Sequence, residues 1–384
     1  MKPIVLSSIR KQNLCKMLDL LTLAPAMTRQ ELAEAAGLSQ MTVTNLVELL
    51  KKQGVLRLTT VPRDENSRYA QGRKAQAISL CGDRKAWLIA DISNRQFSMT
   101  LAGFDVEILM ELHDHRQGDD LRRLESFLRE GGIRVQKALS DRELLGVAVI
   151  TPGPYEISSD TLNHQRLPQL DGVRIKELFR RCLGHYEYYV DEDVKFAVRS
   201  FADLTALNQH KVLYYLYIGE GVGGAAVHDG YMLRGLNSSA GDAGRLIDRH
   251  GSIYESRLNT EAFLQLLDIP KSLSREELRE TLQRIARDQP LRYASALDSM
   301  ASVTAEMLHS VLWMLDPTHI IIDCIYAQPD RSSFAQMVEK HLTWLFQGEP
   351  RILPSLLPCS STVSSALRGA VRVLRKAWLD RILM

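Results

Sequence analysis

The chain has 384 residues, 45% of them hydrophobic and 24% charged, which suits two or three globular domains and excludes wholesale disorder. Its 48 Lys/Arg and 46 Asp/Glu leave a net charge of only +2. That total hides a split: residues 1–82 hold 12 Lys/Arg against 6 Asp/Glu, or +6, and residues 83–384 hold 36 against 40, or −4. A basic head on a mildly acidic body is the first functional clue.

Leu14, Met17, Leu18 and Leu21 recur at helical spacing and predict a first helix over 8–23, ended by Pro25. Thr28-x-x-Glu31 is a capping-box pattern that opens a short helix through Leu32, Ala33 and Ala36, closed by Gly37. Ser39 caps a third helix, with Val43, Leu46, Val47 and Leu50 on its buried side and Gly54 at its stop. Helix, glycine turn and helix at this spacing form a helix-turn-helix. Strands over 55–58 and 75–80 follow, and the loop between them carries Arg63, Arg68, Arg73 and Lys74 as a basic wing. A winged helix-turn-helix DNA-binding domain is therefore expected over 1–82. A small helical protein-interaction module is the alternative, but it has no reason to combine these caps, a hairpin and a +6 balance.

Base and phosphate contacts are expected from Ser39, Gln40, Thr42, Thr44 and Asn45 at the exposed start of the third helix. Their hydroxyl and amide groups read base edges or anchor phosphates, and which does which stays open. Arg73 and Lys74 are expected to contact phosphate or the minor groove, unless they serve only as solvated wing charges.

From residue 87 the pattern changes to strands. A meander over 87–92, 96–104 and 106–113 precedes a helix over 121–139 and an apolar strand over 144–150. A second meander spans 212–218, 223–228 and 231–234 and is again followed by helical sequence. A buried strand over 319–323 and a C-terminal helix over 364–383 complete the chain. Two halves that each open with a meander suggest an internal duplication. Segment 274–287 reads as a solvated amphipathic helix, and the His113-Asp114-His115 run as surface.

The segment Gly219-Glu220-Gly221-Val222-Gly223-Gly224 runs on through Asp229-Gly230, Arg234-Gly235 and Ala240-Gly241-Asp242-Ala243-Gly244. Thr151-Pro152-Gly153-Pro154 precedes it, Asp191-Glu192-Asp193 lies between, and Leu315-Asp316-Pro317-Thr318-His319-Ile320 comes late. In order and spacing these resemble the motifs of the ROK family, which comprises repressors and sugar kinases. The resemblance covers residues 87–384 and implies an α/β fold: an N-terminal winged helix-turn-helix followed by a two-lobed actin-like, ribonuclease-H-like ROK body. It makes 83–384 the effector-binding and oligomerisation domain, with lobes of approximately 83–195 and 196–384. The attached DNA-binding head is typical of the family's NagC/Mlc-like repressor branch.

The family's kinase elements are altered here. D-x-G-G-T has become Asp91-Ile92-Ser93-Asn94-Arg95, which removes both glycines that let backbone approach phosphate. The threonine of G-T-G-x-G-G is Glu220, a carboxylate beside a phosphate cradle, and the late Gly-Gly is Asp323-Cys324. Asp193 matches the catalytic base, but without a donor site it can only bind a hydroxyl. The retained glycines then keep the tight turn of the second meander. No catalysis and no cofactor are expected. The zinc ligands are changed as well: the histidine of G-E-x-G-H is Arg245, and no cysteine follows over 246–258. No metal is expected.

The resemblance places the effector contacts on Gly153, Glu192, Asp193, Asp242, Arg245 and Asn259. Asp242 shortens the family's glutamate by about one C–C bond, ~1.5 Å. Two readings of Arg245 stand: it recruits an anionic or phosphorylated sugar, or it pairs with Asp242 or Glu192 and closes an obsolete pocket.

Five scattered cysteines without a C-x-x-C pair exclude a disulfide framework and suit a reducing compartment. No apolar run reaches the ~18–20 residues that span a bilayer, and the first residues lack a signal peptide's apolar segment. The expectation is a cytoplasmic regulator, a repressor of carbohydrate-related genes. It would bind a double-stranded DNA operator as a homodimer or homotetramer and sense a sugar or anionic sugar. The alternatives are a sugar kinase with an appended DNA-binding head, and a regulator that has lost its sugar and answers to a protein partner.

Overall fold

The computed structural model describes residues 4–24, 26–60, 76–93, 97–114, 121–162, 168–201, 211–270, 273, 275–359 and 364–384. They form two units, one of 1–193 with 370–384 and one of 194–369.

The first unit begins with α1 (Ile4–Leu23), which starts four residues before the helical spacing becomes visible. A two-residue strand, β1 (Met27–Thr28), leads into α2 (Arg29–Ala36). The capping box is complete: Thr28 Oγ1 accepts the Glu31 N–H at 3.2 Å, and Glu31 Oε2 accepts the Thr28 N–H at 2.7 Å. Gly37 closes the helix at φ 64°, the left-handed conformation in which a Cβ is strained. Ser39 then caps α3 (Gln40–Lys52). Val43, Leu46, Val47 and Leu50 of α3 lie buried with Leu14, Met17 and Leu32. Strands β2 (Leu56–Thr60) and β3 (Gln76–Leu80) form the hairpin, and β1 pairs with β3 to give a three-stranded sheet in the order β1-β3-β2.

Next comes the first meander, β4 (Lys85–Asp91), β5 (Ser98–Gly103) and β6 (Ile108–His113). Helix α4 (Leu121–Leu139) leads to β7 (Glu143–Thr151), the small hairpin β8 (Tyr155–Glu156) and β9 (Thr161–Leu162), helix α5 (Ile175–Leu183) and β10 (Tyr188–Glu192). The sheet order is β10-β7-β4-β5-β6, with β4, β7 and β10 parallel. Alternation along β4 assigns its two faces. Ala86, Leu88 and Ala90 pack in one core with Leu124 and Leu128 of α4 and Phe179 of α5. On the other side Trp87 lies against Phe104 (centroids 5.5 Å apart), and Phe104 meets Trp378 edge-on at 5.0 Å. Asp114, at the end of β6, is buried and paired with Arg123 of α4 at 2.6 Å.

The second unit follows α6 (Asp193–Arg199) and repeats the plan with β11 (Val212–Ile218), β12 (Val222–His228) and β13 (Tyr231–Met232). Helices α7 (Tyr254–Leu258), α8 (Thr260–Leu266), α9 (Arg275–Asp288) and α10 (Pro290–Leu315) precede β14 (His319–Cys324), α11 (Arg331–Leu345) and β15 (Ser355–Pro358). Its sheet order is β13-β12-β11-β14-β15, with β11, β14 and β15 parallel. Read from the third strand of each meander, both sheets run third, second, first, fourth, fifth. The duplication suspected from patterning is thus present in topology. Helix α12 (Ser365–Leu383) begins in the second unit and ends in the first, where Trp378 belongs to the core.

Candidate nucleic-acid interface and effector residues

Helical periodicity divides α3 cleanly. Its buried residues stand at 43, 46, 47 and 50, and the exposed stripe is Met41, Thr44, Asn45 and Glu48, at i, i+3, i+4 and i+7. Gln40 is also exposed, one turn before Thr44. Ser39 and Thr42 are engaged with each other: Ser39 Oγ accepts the Thr42 N–H at 3.2 Å, and the two hydroxyls are 2.9 Å apart. Of the five helix residues expected at DNA, Gln40, Thr44 and Asn45 thus lie open, and Ser39 and Thr42 stabilise the helix start. Arg73 and Lys74 lie outside the described residues, as do Arg63 and Arg68. Sequence reasoning passed over Met41, and it passed over Arg29, whose guanidinium lies 3.4 Å from both Glu48 Oε1 and Gln76 Oε1. A helix carrying such a stripe fits the major groove, about 12 Å wide.

In the first unit the parallel strands β4, β7 and β10 end side by side, where α/β sheets place ligands. Thr151 of β7 stands opposite Glu192 of β10. The Glu192 carboxylate is buried (7% exposed), and its Oε1 accepts the Tyr155 N–H at 3.0 Å. A Cβ on Gly153 would lie 2.4 Å from Glu192 Cδ, so a side chain here would displace the Glu192 carboxyl group. Gly153 and Glu192 are therefore brought together, with Asp193 next in the chain as the first residue of α6. At the end of β4, Asp91 Oδ1 accepts both the N–H and the hydroxyl of Ser93, at 2.8 and 2.5 Å.

The second unit holds Asp242, Arg245 and Asn259. Asp242 precedes a 3-10 turn over Ala243–Arg245 and is half-buried. Arg245 is exposed and makes no ion pair among the described residues. Asn259 caps α8, its Oδ1 accepting the Ala262 N–H at 2.9 Å. The glycines of the 219–224 segment have packing reasons to be there. On Gly224 a Cβ would lie 2.0 Å from Tyr214 Oη and 2.4 Å from the Gly241 carbonyl oxygen, and on Gly219 2.3 Å from Tyr217 Oη. Tyr214 donates to the Gly241 carbonyl at 2.8 Å, and burial, with Asp242 nearby, holds its hydroxyl well above the ordinary tyrosine range. Glu220 is exposed. Asp323 Oδ2 accepts the Tyr215 hydroxyl at 2.7 Å, and burial raises the Cys324 thiol strongly. Lys195 was also overlooked: it is fully buried and donates to the Ser238 carbonyl.

The zinc of the family does not fit these residues. No cluster of His, Cys, Asp and Glu capable of holding a metal occurs among the described residues. The loop after Arg245 is organised instead by Asp248, 6% exposed. Its Oδ1 accepts the His250 and Ser252 N–H groups at 2.8 and 2.9 Å, and its Oδ2 accepts Arg257 Nη1 at 2.6 Å. The Ser252 N–H, then His250 and Arg257, hold the carboxyl below the usual carboxylate range. A lowered folded pKa means stability that is complete above the unfolded value, ~3.9, and lost as pH falls through the folded one. The urea midpoint of wild type should therefore exceed that of Asp248→Asn by a constant margin from pH 7 to 5, and the margin should shrink below about pH 4. A margin unchanged down to pH 3 would refute this role.

Two copies of one five-stranded plan behind a winged helix-turn-helix define the class: a DNA-binding head on an actin-like, ribonuclease-H-like body. Residues 11–57 match the winged helix-turn-helix DNA-binding family, and residues 132–377 match the ROK family. The chain belongs to the ROK family. An uncharacterized protein of Sinorhizobium fredii, y4fQ, is 25% identical over 241 residues, and the match spans 59% of this chain and 57% of that one. A ROK family transcriptional regulator, homolog of the E. coli MLC protein, superimposes with a TM-score of 0.64 at 16% identity, covering 98% of this chain and 99% of that one. A ROK family glucokinase from Streptomyces griseus, solved with glucose and AMPPNP, gives 0.61 at 15% identity over 76% of this chain and 99% of its own. At such identities these two structures speak for the fold alone. Among the described residues, no helix is long and apolar enough to cross a membrane.

Proposed function

We propose that this chain is a cytoplasmic transcriptional repressor of carbohydrate-related genes. It binds a double-stranded operator through α3 as a homodimer or homotetramer, and it senses a sugar or anionic sugar without phosphorylating it. The observation that carries this reading is the exposed stripe of α3 on a head of +6 charge. Its lack of acidic residues in the first helical turn favours phosphate at that end. Paired heads follow from the affinity of one small head, which is limited, and from operators that present two half-sites. Gly153, Glu192, Asp193, Asp242, Arg245 and Asn259 are the proposed effector contacts, with the exposed Arg245 cation suited to an anionic group. Asp193 then binds a hydroxyl. Ligand affects DNA through a difference in affinity for two states of the body, and binding of ligand weakens operator binding.

Selection from a random duplex library tests the reading. Wild type should enrich a paired half-site motif, and Asn45→Ala should bind it ~10–100-fold more weakly, the loss of one good base contact. Sugars and sugar phosphates added to the binding assay should weaken the complex for at least one compound. A second reading, a sugar kinase with a DNA-binding head, draws on Asp193 at the position of the family's base. ATP turnover with any sugar of the panel would establish it. No enriched sequence, or an Asn45→Ala variant with unchanged affinity, would overturn the regulator.

A further inference from the structure

On the exposed stripe of α3, three of four side chains are polar and the leading one is apolar. Met41 is 77% exposed, in register with Thr44, Asn45 and Glu48 and on the opposite side of the helix from Val43, Leu46 and Val47. Folding does not require methionine here. It contributes nothing to the core or the cap, and glutamate, lysine and glutamine propagate a helix equally well. Side chains on a helix lean toward its N-terminus, so Met41 covers the leading end of the helix, the part that enters a groove first. Of the groups that a major groove presents, only one is apolar: the C5-methyl of thymine. The surroundings favour DNA over an apolar protein surface as the occupant, because the stripe beyond Met41 is polar and the head carries +6.

We infer that Met41 is a specificity-determining residue that packs on a thymine methyl group in each operator half-site, next to the bases contacted by Gln40, Thr44 and Asn45. This rests on the DNA-binding reading above. A flexible thioether suits such a contact, since methionine adapts to irregular apolar surfaces. The polar neighbours supply register, and Met41 adds discrimination at one base pair.

The test uses the full-length chain and the duplex enriched from the random library. Each thymine of that duplex is replaced in turn by deoxyuridine, which lacks only the methyl group. At one thymine per half-site, deoxyuridine should weaken wild-type binding about fourfold, the effect of one buried methyl. The same replacement should change binding of Met41→Ala by less than about 1.5-fold, so that protein and DNA changes are coupled. Met41→Leu should restore most of the sensitivity. Because the side chain is exposed, Met41→Ala should melt with wild type, which shows that its effect is not one of folding. If deoxyuridine is harmless to wild type at every thymine, or costs Met41→Ala as much as wild type, the assignment is overturned while operator binding stands. If wild type enriches no sequence at all, the DNA-binding reading fails and this inference fails with it.

Discussion

Replacing Arg375 with methionine is expected to destabilise the chain by about 3–5 kcal/mol, the range for removing one partner of a buried charge network. Arg375 lies on α12 and is only 4% exposed. Its Nη1 donates to Thr22 Oγ1 of α1 and its Nη2 to the Phe104 carbonyl after β5, both at 2.5 Å, and its guanidinium carbon stands 5.2 Å above the Phe104 ring. Burial pulls its pKa below the ordinary arginine range to about 10, opposed by the nearby Asp19 and Asp105 carboxylates, so it remains charged at neutral pH. Asp19 is itself held by Arg372 of the same helix at 2.7 Å. Methionine keeps the apolar stem and its packing on Phe104 but leaves the Phe104 carbonyl and the Thr22 hydroxyl without this donor and removes a cation near Asp19. The neighbouring Lys11–Asp380 pair is the internal control. Its aspartate is 46% exposed, and Lys11→Met should cost no more than ~1 kcal/mol, as surface pairs do. Urea unfolding of the two variants decides the matter. Equal midpoints would show that Arg375 does not fasten the head helix to the body.

Helix α12 starts at Ser365 in the second unit and reaches α1 of the helix-turn-helix through Arg375. Helix α12 thus contributes residues to both units.

Local features were legible in the sequence because their causes are local. The Thr28–Glu31 box, the Ser39 cap, the Gly37 stop and the period of α3 each depend on residues at most four apart, and all occur where expected. Both meanders were readable for the same reason. Pairings between distant residues leave no such trace: Thr22 and Arg375 are 353 residues apart, and nothing near either announces the other. The pairing of β1 with β3 escaped notice because a two-residue strand has no period to detect. Within the candidate effector residues, the motif order located Gly153 and Glu192, and strand register explains why they touch. Asp248 stayed hidden because a loop-organising carboxylate looks in sequence like any surface acid. The glycine-rich segment misleads in the opposite direction. Read alone it suggests phosphate, whereas Gly224 is required by the Gly241 backbone and the buried Tyr214 hydroxyl, and Gly219 lies under the Tyr217 ring.

Gly369 gives the sharpest test of such a close approach. In an ordinary helix interior, Gly→Ala is stabilising by about 1 kcal/mol. Gly369 sits early in α12, and a Cβ there would lie 1.7 Å from the carbonyl oxygen of Phe196 in α6. The obstacle is backbone, which cannot rotate aside, so α6 and α12 must separate by more than an ångström. Overpacking of this kind costs about 1–3 kcal/mol where side chains can yield, and more where they cannot. The gain in helix propensity therefore cannot compensate, and Gly369→Ala should destabilise the chain by at least ~2 kcal/mol net. Gly131 in α4 supplies the contrast, because its added Cβ would meet the Met99 thioether at 2.5 Å, the end of a flexible side chain. Gly131→Ala should change stability by less than ~1 kcal/mol, since methionine repacks readily. Helix α6 begins at Asp193, directly after the buried Glu192, and touches α12 through this bare backbone. If Gly369→Ala proved as stable as wild type in urea, the close backbone approach of α6 and α12 at this residue would be refuted.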